Sequence, residues 1–483
     1  MCSLPAWGRS SAEAPAETST LYTRMRYSSK PFADALAELL RQESGDPRAR
    51  INLREFFRRL EGWEYETLRK QVAGERTLQP EAIEAMASAL HVTPEYFLEY
   101  RRHQIEKSIS DHPELVDLVY DLLVSRSKSL DAVAAPLVSI ALDLLAERRD
   151  LDADLASKVL DLIIEGQVGD IQAAAFLMGL RVKGESGEEI SGFARSMQRS
   201  RVPVYIECDE PLMDIVSTGG DRLATFNISS TAAFVAAGAG VKVAKHGSRG
   251  QTSYAGAADL MQALGARIDL PPEAIARCVQ EVGFGFMFAP LHYTAIRRLV
   301  PVRRSLNMPT VFNMLAPLLS PADVKRQLTG VSDARHVPVL AEALVRMGSE
   351  RAMVVHGEDG LDEISISSPT IVVEVEDGKR SDPFHIYPEL YGLRRWPLKY
   401  LVGGDPAKNA SITRRVLAGE PGAPLDLVLM NAGAAIYLAD KAESIHEGID
   451  LARRAVQSGR ALETLNAFVQ FTQSVDRVTR ERA

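Results

Sequence analysis

The stretch DIVSTGGDRLATFNISSTAAFVAAGAG, residues 214–240, decides the fold class. A short apolar strand leads into a glycine-bearing loop, and a polar TFNIS segment then opens a helix of small residues. Further β-type runs follow residue 202 along the chain, and helical stretches separate them. Alternation of this kind is typical of an α/β domain with a largely parallel sheet. We therefore predict an α/β fold organised around this strand, loop and helix.

The same stretch predicts a site for a phosphate group. Glycines let backbone N–H groups approach an anion, and a helix N-terminus adds free donors and the positive end of a dipole. A purely structural glycine turn is the simpler alternative, but the strand before it and the polar cluster after it favour binding. We call the following residues the donor cradle: Ser217, Gly219, Gly220, Asp221, Thr225, Asn227, Ile228, Ser229 and Ser230.

Two further segments carry charged groups suited to a phosphorylated ligand. KHGSRGQTSYAGAAD, residues 245–259, places Lys245, His246 and Arg249 on a predicted glycine-rich loop that is suited to closing over a pyrophosphate. HGEDGLDEIS, residues 356–365, carries Asp362 and Glu363. Neighbouring carboxylates on a loop can hold Mg²⁺ beside substrate phosphates. A solvated basic loop and an ordinary acidic surface pair are the alternatives.

Together these segments resemble the anthranilate phosphoribosyltransferase family. That family's patterns GTGGD–TFNIS, KHGNR, FAP–H–VR, FN–LGPL and GLDE recur here in the same order between residues 135 and 480. The resemblance implies a nucleoside-phosphorylase-like transferase, in which a small helical domain pairs subunits into a homodimer and an α/β domain completes the site. It also implies Mg²⁺-dependent transfer of the 5-phosphoribosyl group from phosphoribosyl pyrophosphate to anthranilate or a close aromatic amine, as in tryptophan biosynthesis.

The resemblance also implies roles for individual residues. Lys245 and Arg303 are the expected catalytic residues, and Arg303 matches the arginine that holds the carboxylate of the acceptor. Ser229, Asp362 and Glu363 match the Mg²⁺ ligands. Residues 245–253 match a loop that closes over the donor. The implied substrate-binding set therefore adds to the donor cradle Lys245, His246, Gly247, Ser248, Arg249, Ser253, Ala257 and Arg303.

Departures from the family pattern cluster on the acceptor side. Ser217 stands at the first glycine of GTGGD, and Ser248 at the asparagine of KHGNR. Tyr293 stands at a family histidine, Ala316 at the glycine of LGPL, and Ala257 at a usual serine. Exchanging hydrogen-bonding groups in a pocket changes substrate preference. A transferase with a different acceptor is therefore one alternative.

The N-terminal part predicts a separate module. Residues 1–30 are rich in Ser, Ala, Thr and Pro, which favours a disordered tail, and Met25 competes with Met1 as the start. Residues 31–107 resemble a Cro/C1-type helix-turn-helix domain with its recognition helix near residues 64–72. Acidic residues slightly outnumber basic ones there, so DNA binding by a ligand-sensing regulator competes with a dimerisation or protein-contact role. We assign residues 108–205 to the helical domain of the transferase and residues 206–483 to its α/β domain.

Composition narrows the function classes further. The 483 residues carry a formal net charge of −8, so any polyanionic ligand is held by local geometry rather than by bulk charge. Three widely spaced cysteines argue against a disulfide framework and favour a reducing cytoplasm. No apolar run reaches the roughly 18 residues that a membrane helix requires. We expect a soluble cytoplasmic enzyme that has no membrane partner.

Overall fold

The computed structural model separates into two compact units, residues 1–128 and residues 129–482. The predicted tail lies outside the described residues apart from Ser28 and Lys30, and so do Met1 and Met25. Side chains are described except at positions 109–111, 126–135 and 476–481. The described residues are 28, 30–44, 52–60, 62–111, 126–221, 223–250 and 254–481.

All of the regular secondary structure described in the first unit is helical. Apolar residues three or four positions apart lie on one face of each helix, and these faces pack together into a common core. Leu36 and Leu39 are an example. Pro80 occupies the first turn of its helix. N–H groups in that turn have no partner within the helix, so the missing N–H of proline costs no hydrogen bond there. This agrees with the all-helical module predicted from the sequence. The helices are α1 (Phe32–Ser44), α2 (Leu53–Phe57), α3 (Tyr65–Val72), α4 (Pro80–Ala89) and α5 (Leu98–Asp111).

The predicted recognition helix coincides with α3, but its arginine is already paired. The Arg69 guanidinium donates to Glu66 at 3.2 Å and, through two nitrogens, to Glu75 at 3.1 and 3.2 Å. A guanidinium that two nearby carboxylates neutralise has little net charge to offer a phosphate.

Four described helices form the helical part of the second unit, and their ends carry side-chain caps. Asp152 accepts a hydrogen bond from the N–H of Leu155 at 2.8 Å, and Ser186 forms a reciprocal capping box with Glu189. Gly192 lets two helices cross closely, because a β-carbon there would overlap the backbone of Ala153. The helices are α6 (Arg126–Ala146), α7 (Ala153–Glu165), α8 (Asp170–Lys183) and α9 (Gly187–Arg199).

A mixed sheet forms the centre of the second unit. Its described strands lie in the order β3-β2-β1-β4-β5-β6-β7, and β8 pairs with β6. Strands β1 to β5 run parallel to one another, as predicted. Strand β6 pairs antiparallel with β5, and β7 and β8 each pair antiparallel with β6. Asp377 and Gly378, both with positive φ, form the tight turn that joins β6 to β7. The strands are β1 (Leu212–Ser217), β2 (Lys242–Gly247), β3 (Phe284–Phe288), β4 (Arg326–Gly330), β5 (Arg351–Gly357), β6 (Thr370–Glu376), β7 (Lys379–Arg380) and β8 (Phe384–Ile386).

Both faces of the sheet are covered. Met353 and Val355 enter one apolar core, whereas Ala352 and Val354, which alternate with them along β5, enter another. None of the described helices is both long and apolar enough to cross a membrane. The remaining helices are α10 (Ile228–Gly238), α11 (Ala257–Ala263), α12 (Pro272–Val282), α13 (Ala289–His292), α14 (Val300–Leu306), α15 (Val311–Leu315), α16 (His336–Arg346), α17 (Pro406–Leu417), α18 (Ala423–Leu438), α19 (Ile445–Gln457) and α20 (Arg460–Glu481).

The order of the strands determines where a ligand can bind. From the central strand β1 the chain first adds β2 and β3 on one side and later β4 and β5 on the other. A parallel sheet that reverses direction in this way opens a crevice at the carboxyl ends of the strands beside the reversal. The donor cradle follows β1 directly and therefore lies at this crevice.

Candidate active site

The loop after β1 is shaped by two glycines and anchored to β4. Gly219 and Gly220 have φ angles of 67° and 88°, which favour glycine because a β-carbon would clash with the backbone. The N–H of Thr218 donates to the carbonyl of Gly330 at 2.9 Å, and the Thr218 hydroxyl accepts from the N–H of Ser332 at 3.2 Å. The loop is thereby held at the carboxyl ends of two adjacent parallel strands.

The start of α10 lies against the acidic pair. The N–H of Ser229 donates to Oε1 of Glu363 at 3.2 Å, which joins the first turn of α10 to the loop after β5. Asn227 precedes the helix without capping it through its side chain. The side chains of Ile228 and Ser230 are buried, so these two residues offer a ligand their backbone groups.

Asp362 and Glu363 are buried carboxyl groups, and one buried oxygen of each lacks a hydrogen-bond partner among the described residues. They are 6% and 4% exposed, and Oδ2 of Asp362 and Oε2 of Glu363 accept no hydrogen bond. Burial and the nearby Asp221 raise the pKa of Asp362 to about 7, while Ser217 and Gly219 oppose the shift by hydrogen bonding. Burial and Asp362 likewise raise the pKa of Glu363. Such groups are poised to take up a cation.

The chemistry of this donor set fits Mg²⁺. Magnesium prefers carboxylate oxygens and keeps water and phosphate ligands around it, so two carboxylates and a hydroxyl suffice from the protein. The described residues hold no cluster of three or more His, Cys, Asp or Glu that would form an all-protein metal site. Ser229 of the donor cradle is hydrogen-bonded to Glu363, and Asp362 is the neighbour of Glu363 in the chain.

The structure corrects the predicted position of Lys245, His246 and Gly247. They belong to β2 and are not part of a loop, because β2 pairs with β3 as far as Gly247 and Phe288. Lys245 is 2% exposed, and its ammonium donates to the carbonyl of Ile215. Burial lowers the pKa of Lys245, while Asp214 and Glu363 act in the opposite direction. Lys245 is therefore a buried amine close enough to Glu363 for the two groups to influence each other's pKa.

His246 links three segments of the site. Its Nδ1 lies 2.5 Å from Oδ2 of Asp214, and its Nε2 lies 2.7 Å from the carbonyl oxygen of Ala316. Asp214 belongs to β1, and Ala316 starts a 3₁₀ turn that follows α15. Both ring nitrogens are therefore engaged, and His246 holds the segment at Ala316 against the sheet.

The described part of the glycine-rich loop is organised by Asp259. Its carboxylate accepts from Arg249 at 2.7 Å and from the N–H groups of Gly250 and Gly256, each at 2.9 Å. These bonds hold the pKa of Asp259 below its ordinary value even though burial opposes them. Ser248 precedes this network, and Ala257 is the first residue of α11. Ser253 lies outside the described residues.

Arg303 on α14 is a partly buried cation. Its guanidinium lies 5.1 Å from the centre of the Phe312 ring, and none of the described carboxylates forms an ion pair with it. Burial lowers the pKa of Arg303. The neighbouring Arg304 is exposed to solvent. A buried guanidinium that faces an aromatic ring rather than a carboxylate is suited to an anionic ligand.

One of the departures from the family pattern is engaged by the acidic pair, and another is buried in an apolar core. The hydroxyl of Ser217 interacts with Asp362, so this residue faces the acidic pair. Tyr293 is 4% exposed within the apolar core of the helical part, and its hydroxyl has no partner among the described residues.

Gly330 is a site residue that the sequence analysis missed. It ends β4, and the backbone of Asp362 passes so close that a β-carbon on residue 330 would overlap it. Its signal in the sequence is a glycine directly after the short run RQLT. That signal is weak, because many strands end in glycine.

Comparison with protein families gives the class of this protein. The model of the α/β domain of the glycosyl transferase family matches residues 209–462, and that of the family's helical bundle domain matches residues 140–201. The fold and the site therefore define a two-domain glycosyl transferase.

Individual relatives give the particular family. The chain is 51% identical to the anthranilate phosphoribosyltransferase of Rubrobacter xylanophilus over 286 residues, which cover 59% of this chain and 83% of that one. It is 49% identical to the enzyme of Thermomicrobium roseum over 279 residues, covering 57% and 80%. The chain belongs to the anthranilate phosphoribosyltransferase family.

Solved structures agree with this assignment. The anthranilate phosphoribosyltransferase of Thermus thermophilus has a TM-score of 0.65 and 41% identity, covering 69% of this chain and 99% of that one. The Saccharomyces cerevisiae enzyme in complex with PRPP and Mg has a TM-score of 0.65 and 30% identity, covering 71% and 99%. These relatives do not favour the alternatives of a DNA-binding regulator or of a transferase with a different acceptor.

Proposed function

We propose that the chain transfers the 5-phosphoribosyl group of phosphoribosyl pyrophosphate to the amino group of anthranilate and releases pyrophosphate, in a reaction that requires Mg²⁺. The observation that carries this proposal is the meeting of Asp362 and Glu363 with the donor cradle at the reversal point of the sheet. Tryptophan biosynthesis in a reducing cytoplasm is the proposed setting.

The donor side of the site would hold the pyrophosphate through backbone N–H groups, the N-terminus of a helix and a few charged groups. The loop from Ser217 to Asp221 and the start of α10 supply backbone N–H groups, and Ser229, Asp362 and Glu363 would hold Mg²⁺. Bound Mg²⁺ would offset the negative charge that gathers on the departing pyrophosphate. Lys245 lies near Glu363, and its protonated form would favour the ionised form of this carboxyl.

The acceptor side would recognise a carboxylate. Arg303 offers a guanidinium that no described carboxylate pairs, and the Phe312 ring beneath it limits access of water. The amino group of an aniline is neutral, so it can attack C1 of the ribose without a strong base. The residues therefore contribute mainly by positioning the two substrates.

The reaction is tested by mixing the purified protein with phosphoribosyl pyrophosphate, Mg²⁺ and anthranilate and following the loss of anthranilate fluorescence. We expect turnover that Asp362→Ala abolishes. Asp377→Asn, at an exposed turn far along the chain from the cradle, is the matched control and should keep full activity. Absence of turnover at millimolar substrate would reject anthranilate as the acceptor.

We also propose a homodimer formed through α8. Ile171, Met178 and Val182 lie on one face of this helix and are 87%, 41% and 60% exposed. An apolar stripe of this kind on a soluble domain favours burial against a second copy. Val182→Glu should yield monomers in analytical ultracentrifugation, while Gln172→Glu on the same helix should not. A monomeric wild-type protein would disprove the dimer.

For the N-terminal unit we propose a helix-turn-helix-type module whose role is not duplex recognition. The support is the pairing of Arg69 with Glu66 and Glu75 on the predicted recognition helix. The full chain should then bind duplex DNA no more tightly than a variant with Arg69→Ala at about 50 mM salt, where electrostatic affinity is strongest. Sequence-selective binding that Arg69→Ala removes would contradict this proposal.

A further inference from the structure

A second segment of the chain is hydrogen-bonded to the backbone of the donor cradle, and none of its residues has been given a role in the transfer reaction. Residues 401–409, here called the backing segment, run alongside residues 224–227. The N–H of Gly403 donates to the carbonyl of Ala224 at 2.9 Å, and the N–H of Phe226 donates to the carbonyl of Leu401 at 3.3 Å. Thr225 and Val402 form an antiparallel bridge between these two bonds.

The supported backbone is strained and closely packed. Ala224 has a φ of +53°, in the left-handed region that residues with a side chain disfavour. Strained conformations persist where surrounding contacts hold them in place, and they cluster at functional sites. A β-carbon on Gly403 would lie 2.7 Å from the Phe226 backbone, so the two segments approach as closely as their backbones allow.

Asn409 is a buried polar residue that links the backing segment to Asn227 of the donor cradle. It is 1% exposed and lies in the first turns of α17. Its Oδ1 accepts from the N–H of Gly404 at 2.8 Å, and its Nδ2 donates to Oδ1 of Asn227 at 3.0 Å. Asn227 in turn donates from Nδ2 to the carbonyl of Ala255 at 2.9 Å.

These bonds form a relay with a defined polarity. Because Oδ1 of Asn227 accepts from Asn409, its Nδ2 is directed at Ala255, which lies in the last part of the glycine-rich loop. Both the oxygen and the nitrogen of the Asn227 amide are thus hydrogen-bonded. Rotating this amide by 180° would place its oxygen against the carbonyl oxygen of Ala255. The orientation of Asn227 is therefore set by Asn409, and the relay joins the TFNIS segment to the end of the loop.

We propose that Asn409 is a positioning residue for the phosphoribosyl donor, which it affects through Asn227 and Ala255. This inference rests on the proposed function, because it takes the cradle to bind phosphoribosyl pyrophosphate. Asn409 contacts no reacting atom. Its loss should weaken binding of the donor and leave recognition of the acceptor intact.

Asn409→Asp tests this role with the smallest change in shape. The new carboxylate still accepts from Gly404 but cannot donate to Asn227, so one contact of the relay is lost whichever way the Asn227 amide turns. We expect the Kd of phosphoribosyl pyrophosphate, measured by calorimetry with Mg²⁺, to rise about tenfold, the effect of one lost buried hydrogen bond. The KM for anthranilate should stay within about twofold. Asn409→Ser, which adds no buried charge, should behave similarly if Asn409→Asp fails to fold.

Thr413→Val is the matched control, one turn further along α17. The Thr413 hydroxyl lies 2.9 Å from that of Thr231, which itself donates to the carbonyl of Asn227 at 2.9 Å. The valine removes a buried hydroxyl from the same pair of helices but leaves the amide relay whole. It should lower the melting temperature without changing the Kd of the donor.

The outcomes separate positioning from stability. If the Asn409 variants lose melting temperature as Thr413→Val does while the Kd of the donor is unchanged, Asn409 has a structural role only and the inference is wrong. Equal losses for donor and acceptor would also overturn it. A wild-type protein that binds the donor but does not consume anthranilate contradicts the proposed reaction, and the Kd comparison then still decides the role of Asn409.

Discussion

The backbone of Asp362 lies against Gly330, at the position that a β-carbon on residue 330 would occupy. Gly330 ends strand β4, which neighbours β1, and Asp362 carries one of the two carboxylates beside the donor cradle. The loop after β5 can therefore fold over the end of β4 only because residue 330 has no side chain. This contact places the acidic pair over the reversal point of the sheet.

Gly330→Ala should displace Asp362 and Glu363 from the site. We expect the free energy of unfolding to fall by about 3 kcal/mol, in the upper range for overpacking, and activity to fall more than a hundredfold. Urea denaturation and the fluorescence assay measure the two effects. Gly169→Ala is the control, since open space surrounds Gly169 and its φ is −69°. An active and stable Gly330→Ala variant would show that the loop can move aside.

The pKa of Asp362 predicts how stability without Mg²⁺ depends on pH. Burial raises this pKa from 3.8 to about 7, so between these values the folded protein binds a proton that the unfolded chain does not. The free energy of unfolding should therefore fall as pH rises from about 4 to 7, by at most about 1.4 kcal/mol per pH unit from this group, and then level off.

Denaturation in EDTA at several pH values tests this dependence. Asp362→Asn cannot titrate at this position, so the difference in free energy of unfolding between it and the wild type should change between about pH 5 and 7. Adding Mg²⁺ at pH 7 should stabilise the wild type and not the variant. A difference that does not vary with pH would mean that Asp362 titrates in its ordinary range.

Arg303→Gln should affect the acceptor specifically. Losing a charged hydrogen-bond donor from a partly buried pocket should raise the KM for anthranilate about 10- to 100-fold and leave the KM for the donor nearly unchanged. Arg303→Lys should restore little of this, since an ammonium lacks the planar fork that matches a carboxylate. Arg304→Gln is the exposed control and should behave as the wild type. A parallel loss for both substrates would argue for a structural role of Arg303.

Asp259→Asn should loosen the glycine-rich loop. The variant loses the charge that holds Arg249, Gly250 and Gly256 together. Trypsin should then cleave after Arg249 several times faster than in the wild type. Asp269→Asn, which removes an exposed partner of Arg267, should leave this cleavage rate unchanged. Equal rates in all three proteins would show that other contacts order the loop.

Motifs in the sequence predicted most of the site because their spacing carries local chemistry. Two glycines with polar neighbours between a strand and a helix indicate a phosphate loop wherever they occur, and Gly219 and Gly220 adopt the expected positive φ. The predicted loop began too early, at Lys245 instead of after Gly247, because lysine and glycine are common in loops. The strand conformation of Lys245 and Gly247 comes from pairing with β3, which lies about 40 residues further along the chain.

Contacts between distant segments were beyond the reach of sequence analysis. Asn409 sits in an ordinary-looking helix start, and only the approach of residues 401–409 to residues 224–227 makes its amide part of the site. The same holds for His246, whose partners Asp214 and Ala316 lie 32 and 70 residues away.

The sequence by itself determined the fold class, and it predicted the donor cradle and the acidic pair, because the chemistry of each resides in a short run of adjacent residues. Only the tertiary structure decided which groups are free and which are engaged: Asp362 and Glu363 keep unpartnered oxygens, whereas His246 and Asn227 have their hydrogen-bonding capacity directed at other segments. The physical reason is that burial and hydrogen-bond partners depend on which strands and helices lie side by side, and the order of a parallel sheet brings together residues that are far apart in the chain.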